Sequence, residues 1–422
     1  MSVSRVAACV FSVLVAATAA AAPDSPLRLR DALDAALQHN PELRGFSYAL
    51  KAQDGRAAQA ALRANPELGF TAENFAGTGA VRGFTATEFT LTLSQVIDLG
   101  GQRARRIDVA SAERGALEAE QAARQLDLAA DVVRRFIDVA AEQERGALAD
   151  EALKLARTTR DTVVARVKAA RAPLAEGDRA QILVARAELE ATLARRKLDT
   201  ARGQLAALWG DTQPQFERVA ADLYAVPAPR PFADLVARLD ANPELTRYVS
   251  EARLRDAELR LAIARRTPDL QLGAGVRRLQ DGNDTALVFS ATIPLPFRDR
   301  NQGAIAEAQA QRARVETDRD AARLRVQTEL YGLYQELLQA RDESAALTRD
   351  VLPLAEDALK QTEYAYQRGR YSYLEWVDAQ RELLDVERRR IEAAAESQRL
   401  LAEIERLTAE PLALPAERGA PR

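Results

Sequence analysis

The tetrapeptide Asn40-Pro41-Glu42-Leu43 returns 202 positions later as Asn242-Pro243-Glu244-Leu245. The recurrence extends well beyond four residues. Asn65-Pro66-Glu67-Leu68 is echoed by Thr267-Pro268-Asp269-Leu270, and each is followed by an alternating apolar/polar run and a long Ala/Arg/Glu-rich stretch. A period near 200 is far too long for a solenoid unit, whose repeats run about 20–50 residues. The chain therefore reads as two copies of one half-molecule, each ordered helix, two strands, long helix, helix. The first repeat spans 23–209, a Pro-rich linker 210–231 and the second repeat 232–409; the Pro-rich tail 410–422 is expected to be disordered.

Residues 1–22 are not expected to belong to the fold. Arg5 precedes an apolar run from Val6 to Ala21, and Ala20-Ala21-Ala22 before Pro23 offers a small-residue cleavage site, the pattern of a secretory signal peptide. About 16 apolar residues is short for a membrane-spanning helix. Cleavage would remove Met1 and Cys9, the only Met and the only Cys, and leave His39 as the sole histidine. Such a chain has no thiols for disulfides or soft-metal sites, and almost nothing for histidine or cysteine catalysis. No enzyme, no cofactor and no metal site are expected. The net charge of −3, with Asp and Glu interleaved with Arg along helices, fits solvated faces rather than a nucleic-acid surface.

Helical spacing covers 27–63, and Asn65-Pro66 stops it. Strands are expected at 67–75 and 84–97, with Leu68, Phe70 and Ala72, then Phe89, Leu91 and Leu93, on single faces. From Gln102 to Ala170 no proline interrupts, giving roughly 69 residues or ~100 Å of helix. Pro173 and Gly177 mark a turn before a shorter helix ending near Trp209. The second half repeats this plan: helix 233–266, strands 269–277 and 285–293 (Leu287 and Phe289 on one face), a long helix 302–368, a turn at Gly369 and a helix 371–408. One long helix could lie beside two shorter ones stacked end to end.

Each strand has the length and alternation of a transmembrane β-strand. Lipid cannot satisfy an open sheet edge, and the smallest membrane barrels have about eight strands, so a four-stranded chain must oligomerise to close one. Three copies would supply 12 strands. At this point the sequence resembles the TolC-type outer-membrane efflux proteins over nearly its whole mature length. The likeness rests on the duplicated Asn-Pro-Glu-Leu, on Leu93-Ser94-Gln95-Val96-Ile97-Asp98-Leu99-Gly100-Gly101-Gln102-Arg103, and on Tyr366-Gln367-Arg368-Gly369 running into Val377-Asp378-Ala379-Gln380. Glu73-Asn74-Phe75 and Pro294-Leu295-Pro296-Phe297-Arg298-Asp299-Arg300-Asn301 look more like the heavy-metal, cobalt-zinc-cadmium branch.

The resemblance implies a mainly α fold with a membrane β-barrel part: a homotrimer whose periplasmic α-barrel continues a 12-stranded barrel set in outer-membrane lipid. It also implies docking on a periplasmic adaptor (membrane fusion) protein and an inner-membrane transporter of the resistance-nodulation-division type. Phe89, Leu91, Leu93, Leu287 and Phe289 would then face lipid. Pro173, Gly177 and Gly369 would shape the adaptor-docking tips. Two acidic positions of the family's constriction match Glu375 and Asp378; a ring of carboxylates there would attract cations. The gate tyrosine matches Tyr366 and its acidic partner Asp161. The family's tip arginine falls on Tyr371, with Arg370 adjacent as a replacement. A soluble periplasmic coiled-coil adaptor is the alternative class, and drugs or secreted protein are alternative cargoes for the same fold.

Overall fold

The computed structural model describes residues 26–410. The expected signal peptide and nearly all of the tail lie outside these residues. In chain order the elements are α1 (Leu29–His39), α2 (Pro41–Ala60), β1 (Glu67–Glu73), β2 (Glu88–Ile97), α3 (Gln102–Lys168), α4 (Leu174–Ala206), α5 (Phe232–Arg238), α6 (Pro243–Ala264), β3 (Leu270–Leu279), β4 (Asp284–Thr292), α7 (Gln302–Ala346), α8 (Leu352–Gln367) and α9 (Tyr373–Leu407). α3 alone is 67 residues, about 100 Å at 1.5 Å per residue. It lies along α2 near the strands and along α4 at the far end, as the length match suggests; α7 lies along α6 and α9.

The repeated Asn-Pro-Glu-Leu has a structural explanation. Asn40 and Asn242 each break a helix and cap the next. Oδ1 of Asn40 accepts from the N–H groups of Glu42 (2.9 Å) and Leu43 (3.2 Å), and that of Asn242 from Glu244 (2.8 Å) and Leu245 (3.3 Å). Proline occupies the first helical position, where no N–H is needed. The side-chain amide does a second job. Nδ2 of Asn40 donates to the Leu208 carbonyl (2.8 Å), and Nδ2 of Asn242 donates to the Leu407 carbonyl (2.7 Å). Each half is thus tied, start of α2 or α6 to the end of its own last helix, by one buried asparagine. The helices expected at 27–63 and 233–266 are consequently each two helices meeting at this residue.

One expectation fails in α7. The helix over 302–368 is not continuous: residues Leu347–Val351 form a π-helical turn, and α8 begins at Leu352. Pro353 supplies the cause. It has no N–H, and its ring would clash with the carbonyl four residues earlier, so the turn before it widens. α3 contains no proline and shows no such break.

At mid-length the linker wraps the bundle. Leu27 and Val219 form a parallel bridge, Gln143 accepts from the Val219 N–H (2.7 Å), and Gln398 donates to the Ala225 carbonyl (3.0 Å). Beneath it Phe136, Ile137, Ala140, Ala141, Ala394 and Ala395 are buried; the small alanines let α3 and α9 approach closely. Arg399–Asp138 (3.0 Å) and Arg406–Asp127 (3.2 Å) pair the same two helices. α3 thus packs on both α4 and α9, while α8 packs on α9.

The four strands form one antiparallel sheet in the order β1-β2-β3-β4. β2 starts at Glu88 rather than residue 84, because residues 79–87 are taken up by a 3-10 turn and loop. Register puts Phe70 opposite Leu91, Leu91 opposite Val276, and Val276 opposite Leu287; likewise Leu68, Leu93, Ala274 and Phe289 line up across the sheet. Leu68, Phe70, Leu91, Leu93, Leu287 and Phe289 therefore share one face, and it is bare: Leu287 is 74% and Phe289 79% exposed. The opposite face carries Thr90, Thr92 and Arg277, whose guanidinium pairs with Glu88 (2.9 Å) and Glu73 (3.3 Å).

Candidate functional site

The end of the molecule remote from the sheet is built from two helical hairpins, α3/α4 and α8/α9. Their turns are the same turn. In the second, the N–H of Arg370 donates to the Ala365 carbonyl and that of Gly369 to the Tyr366 carbonyl, both at 2.9 Å. In the first, Arg171 donates to Arg166 (2.8 Å) and Ala170 to Val167 (2.9 Å). Both are Schellman closures with a left-handed residue after the helix: Gly369 at φ +72°, Ala170 at φ +56°. Alanine at the position that glycine holds in the second tip thus leaves the turn geometry unchanged and puts a Cβ where it is strained. Gly177, expected in the turn, instead lies inside the first turns of α4.

The starts of α4 and α9 differ, and the difference is chemical. Ser372 caps α9: its hydroxyl accepts from the Glu375 N–H (3.3 Å), and the Glu375 carboxylate accepts from the Ser372 N–H (2.7 Å). This reciprocal capping box holds the Glu375 carboxyl below the usual carboxylate range, the Ser372 backbone donor being the main cause. The matching cap in the first hairpin is Pro173. Proline has no N–H, so Glu176, at the same third position, has no donor to close a box. Its carboxylate reaches across to the other hairpin and accepts from the Tyr366 hydroxyl (3.3 Å).

Tyr366 is the hub of this tip. It is 2% exposed and stacks on Trp376 with ring centroids 4.9 Å apart. The Arg166 guanidinium lies 4.5 Å from its ring centre and donates to its backbone carbonyl. Burial, reinforced by the Glu176 charge, pushes the phenol up to about 12. Val163, Ala180, Leu359, Tyr373 and Val377 complete the apolar packing, and Gln380 donates to the Thr159 hydroxyl (2.8 Å) between α9 and α3. The indole N–H of Trp376 and Nε of Arg166 are buried without partners among the described residues.

The sequence-based site is thus partly assembled. Tyr366 is central, but its acidic partner is Glu176, not Asp161; Asp161 is exposed and held by its neighbour Arg160 (2.7 Å). α3 positions Asp161 on the solvent side, whereas Arg166, more than one turn further along, reaches Tyr366. Arg370 is exposed and makes no ion pair among the described residues. Glu375 and Asp378 lie one helical turn apart on the exposed side of α9, opposite buried Trp376 and Val377. Glu375 is engaged in its cap, and Asp378 pairs with Arg381 (3.4 Å). Glu176 was the residue missed; Pro173 three positions before it was the available signal. No cluster of three or more metal-ligating side chains occurs among the described residues.

A rod of long helices crowned by strands with an outward apolar face and two open edges defines a class, the outer-membrane channel proteins that combine helical and strand columns. The chain belongs to the outer membrane efflux protein family, which matches residues 32–211 and 236–410. It is 31% identical over 332 residues to the cobalt-zinc-cadmium resistance protein CzcC of Cupriavidus metallidurans, covering 78% of each chain. Among solved structures, a membrane protein from Pseudomonas aeruginosa superposes with a TM-score of 0.75 at 22% identity, covering 90% of both chains. CusC superposes with a TM-score of 0.74 at 17% identity, covering 91% of this chain and 92% of that one. The fold is that of these structures, and the chain is an outer-membrane efflux channel by family.

Proposed function

We propose that three copies close into one tube, an outer-membrane duct that receives divalent metal cations from a periplasmic adaptor and an inner-membrane resistance-nodulation-division transporter and passes them outward without catalysis. The observation that carries this is a matched set of unfinished edges. Among the described residues β1 and β4 each leave one side unpaired, and nothing covers the sheet's apolar face. In the helical layer the helices also bear uncovered apolar residues: Ile182, Leu189 and Leu193 on α4, and Leu324, Tyr331 and Leu354 on α7 and α8. An edge on the left and a different edge on the right make a head-to-tail interface, which closes into a ring if the rotation allows it. β4 of one copy would pair antiparallel with β1 of the next, leaving no edge in lipid.

Cargo follows from two supports. The relative CzcC is named for cobalt, zinc and cadmium resistance. The exposed Glu375 and Asp378 would repeat around the ring at the tip, placing carboxylates at the entrance of a cation path. The lack of Cys and Met in the mature chain is no obstacle, since a duct need not chelate what it passes. The tips, with Pro173 and Gly369 at their turns, form the surface for the adaptor, and the helical columns extend the channel through the periplasm.

The test is reconstitution. The chain extracted in detergent should migrate as a trimer and insert into planar bilayers as a cation-preferring conductance. A monomer without conductance, recovered in the soluble periplasmic fraction, would sink this reading and favour a coiled-coil adaptor.

A further inference from the structure

The sheet's two ends are chemically unlike. Where the strands meet the helices, three of the four junctions set an exposed apolar side chain beside exposed arginine, and the acids Glu67, Asp98, Asp269 and Asp299 stand among them. After α2 comes Leu62 with Arg63; at the end of α6, Ile263 with Arg265 and Arg266; after β4, Phe297 with Arg298 and Arg300. Phe297 is 77% exposed. None of these five arginines forms an ion pair among the described residues. The only guanidinium hydrogen bond from this set among the described residues runs from Nε of Arg300 to the Pro296 carbonyl (3.3 Å). At the opposite end the strands run into Glu73, Glu88, Asp281 and Asp284, with Arg82 in the longer loop.

We propose that the helix end of the sheet is a binding collar for anionic glycerophospholipid headgroups in the membrane leaflet on that side. The proposal rests on the channel reading above, which sets the apolar face in the bilayer. The collar is continuous with that face. Leu62, Ile263 and Phe297 sit at the depth where a chain leaves hydrocarbon, a level at which aromatic and amphipathic side chains gather. Guanidinium is the group suited to a phosphate there: planar, always charged, and able to donate two parallel hydrogen bonds to its oxygens. Unpaired arginines also carry no internal partner that lipid would have to displace.

The experiment uses the full chain in its assembled form, reconstituted in phosphatidylcholine nanodiscs with or without about one-third phosphatidylglycerol. A fourfold variant, Arg265→Gln, Arg266→Gln, Arg298→Gln and Arg300→Gln, is compared with the native chain by thermal unfolding and by retained lipid in native mass spectrometry. Phosphatidylglycerol should raise the unfolding midpoint of the native chain only. Affinity for it should fall about fivefold for each surface arginine removed. Equal midpoints in both lipids, or an equal shift in the variant, would overturn the proposal. So would equal stabilisation of the detergent-solubilised chain by inorganic phosphate, which would reduce the collar to a simple anion site. A chain that never enters phosphatidylcholine nanodiscs would refute the channel reading instead.

Discussion

Tyr366→Phe removes one oxygen from the tip and nothing else. The ring still stacks on Trp376 and beneath Arg166, and the Arg166 bond to the backbone carbonyl is untouched. What is lost is the bond to Glu176, one of the side-chain contacts that cross from hairpin α8/α9 to α4, beside the Arg388–Glu190 pair. A charged acceptor strengthens such a bond, but 3.3 Å is long for O–H···O, so we assign about 1 kcal/mol per copy. In a trimer opening as a unit, three latches sum to about 3 kcal/mol, or roughly 150-fold in the ratio of open to closed channels. Glu176→Ala should act alike, and the double variant should be no more open than either single one, because both remove the same bond. Asp161→Asn should do nothing. Single-channel recording in planar bilayers reads the open fraction directly. A large effect of Asp161→Asn, with Tyr366→Phe silent, would refute the assignment of Glu176 and restore Asp161 as the partner. The latch also has a pH window. The phenol's folded value is raised to about 12 from its ordinary value near 10, so its contribution is complete below about pH 10 and lost as pH rises through about 12. Tyr366→Phe should abolish that alkaline step.

Four further outcomes are expected. Ala170→Gly relieves a left-handed alanine and should stabilise the first tip by about 1 kcal/mol in denaturant unfolding, while Gly369→Ala should cost a similar amount. Asn242→Ala strips the capping acceptor shared by two backbone N–H groups and the Leu407 tie from a buried site, a loss of about 2–3 kcal/mol that thermal melts can follow. Leu91→Arg puts a charge in the middle of the apolar sheet face and should cost about 2–4 kcal/mol and lower the yield of assembled protein; a normal yield would mean that this face does not meet lipid. Glu375→Gln combined with Asp378→Asn should reduce cation preference in reversal-potential measurements, and unchanged preference would remove both residues from the filter.

Much of the architecture was legible because periodicity reports it directly. Alternation over Leu68–Ala72 and Phe89–Leu93 needs no tertiary knowledge, and the register preserves it across all four strands. The errors have local causes. Pro353 was visible, but helical spacing resumes after it, so the π-helical turn at Leu347–Val351 was hidden inside an otherwise regular pattern. Gly177 near Pro173 looked like turn punctuation, whereas the chain reverses at Ala170, a residue that sequence rules do not place at positive φ. The partner of Tyr366 lay 190 positions away in sequence, and only the packing of α4 against α3 brings Glu176 to it. The second bond of Asn40 and Asn242 is equally non-local: capping follows from the motif, the tie to Leu208 or Leu407 does not.

The repeat also explains why the latch exists. Asn40 and Asn242 are 202 positions apart, but Ala170 and Gly369, Pro173 and Ser372, and Glu176 and Glu375 are each 199 apart. The two tips therefore correspond residue for residue, and they diverge at the cap. Where the cap is Ser372, Glu375 is spent on its own helix and stays at the surface. Where the cap is Pro173, the same glutamate has no N–H to accept from and turns outward to its neighbour. Giving the first hairpin the cap of the second with Pro173→Ser would return a donor to Glu176 and set the capping box in competition with Tyr366. A cap substitution that touches no residue of the second hairpin would then loosen that hairpin, a consequence that follows only if the proline is what directs Glu176 across the gap.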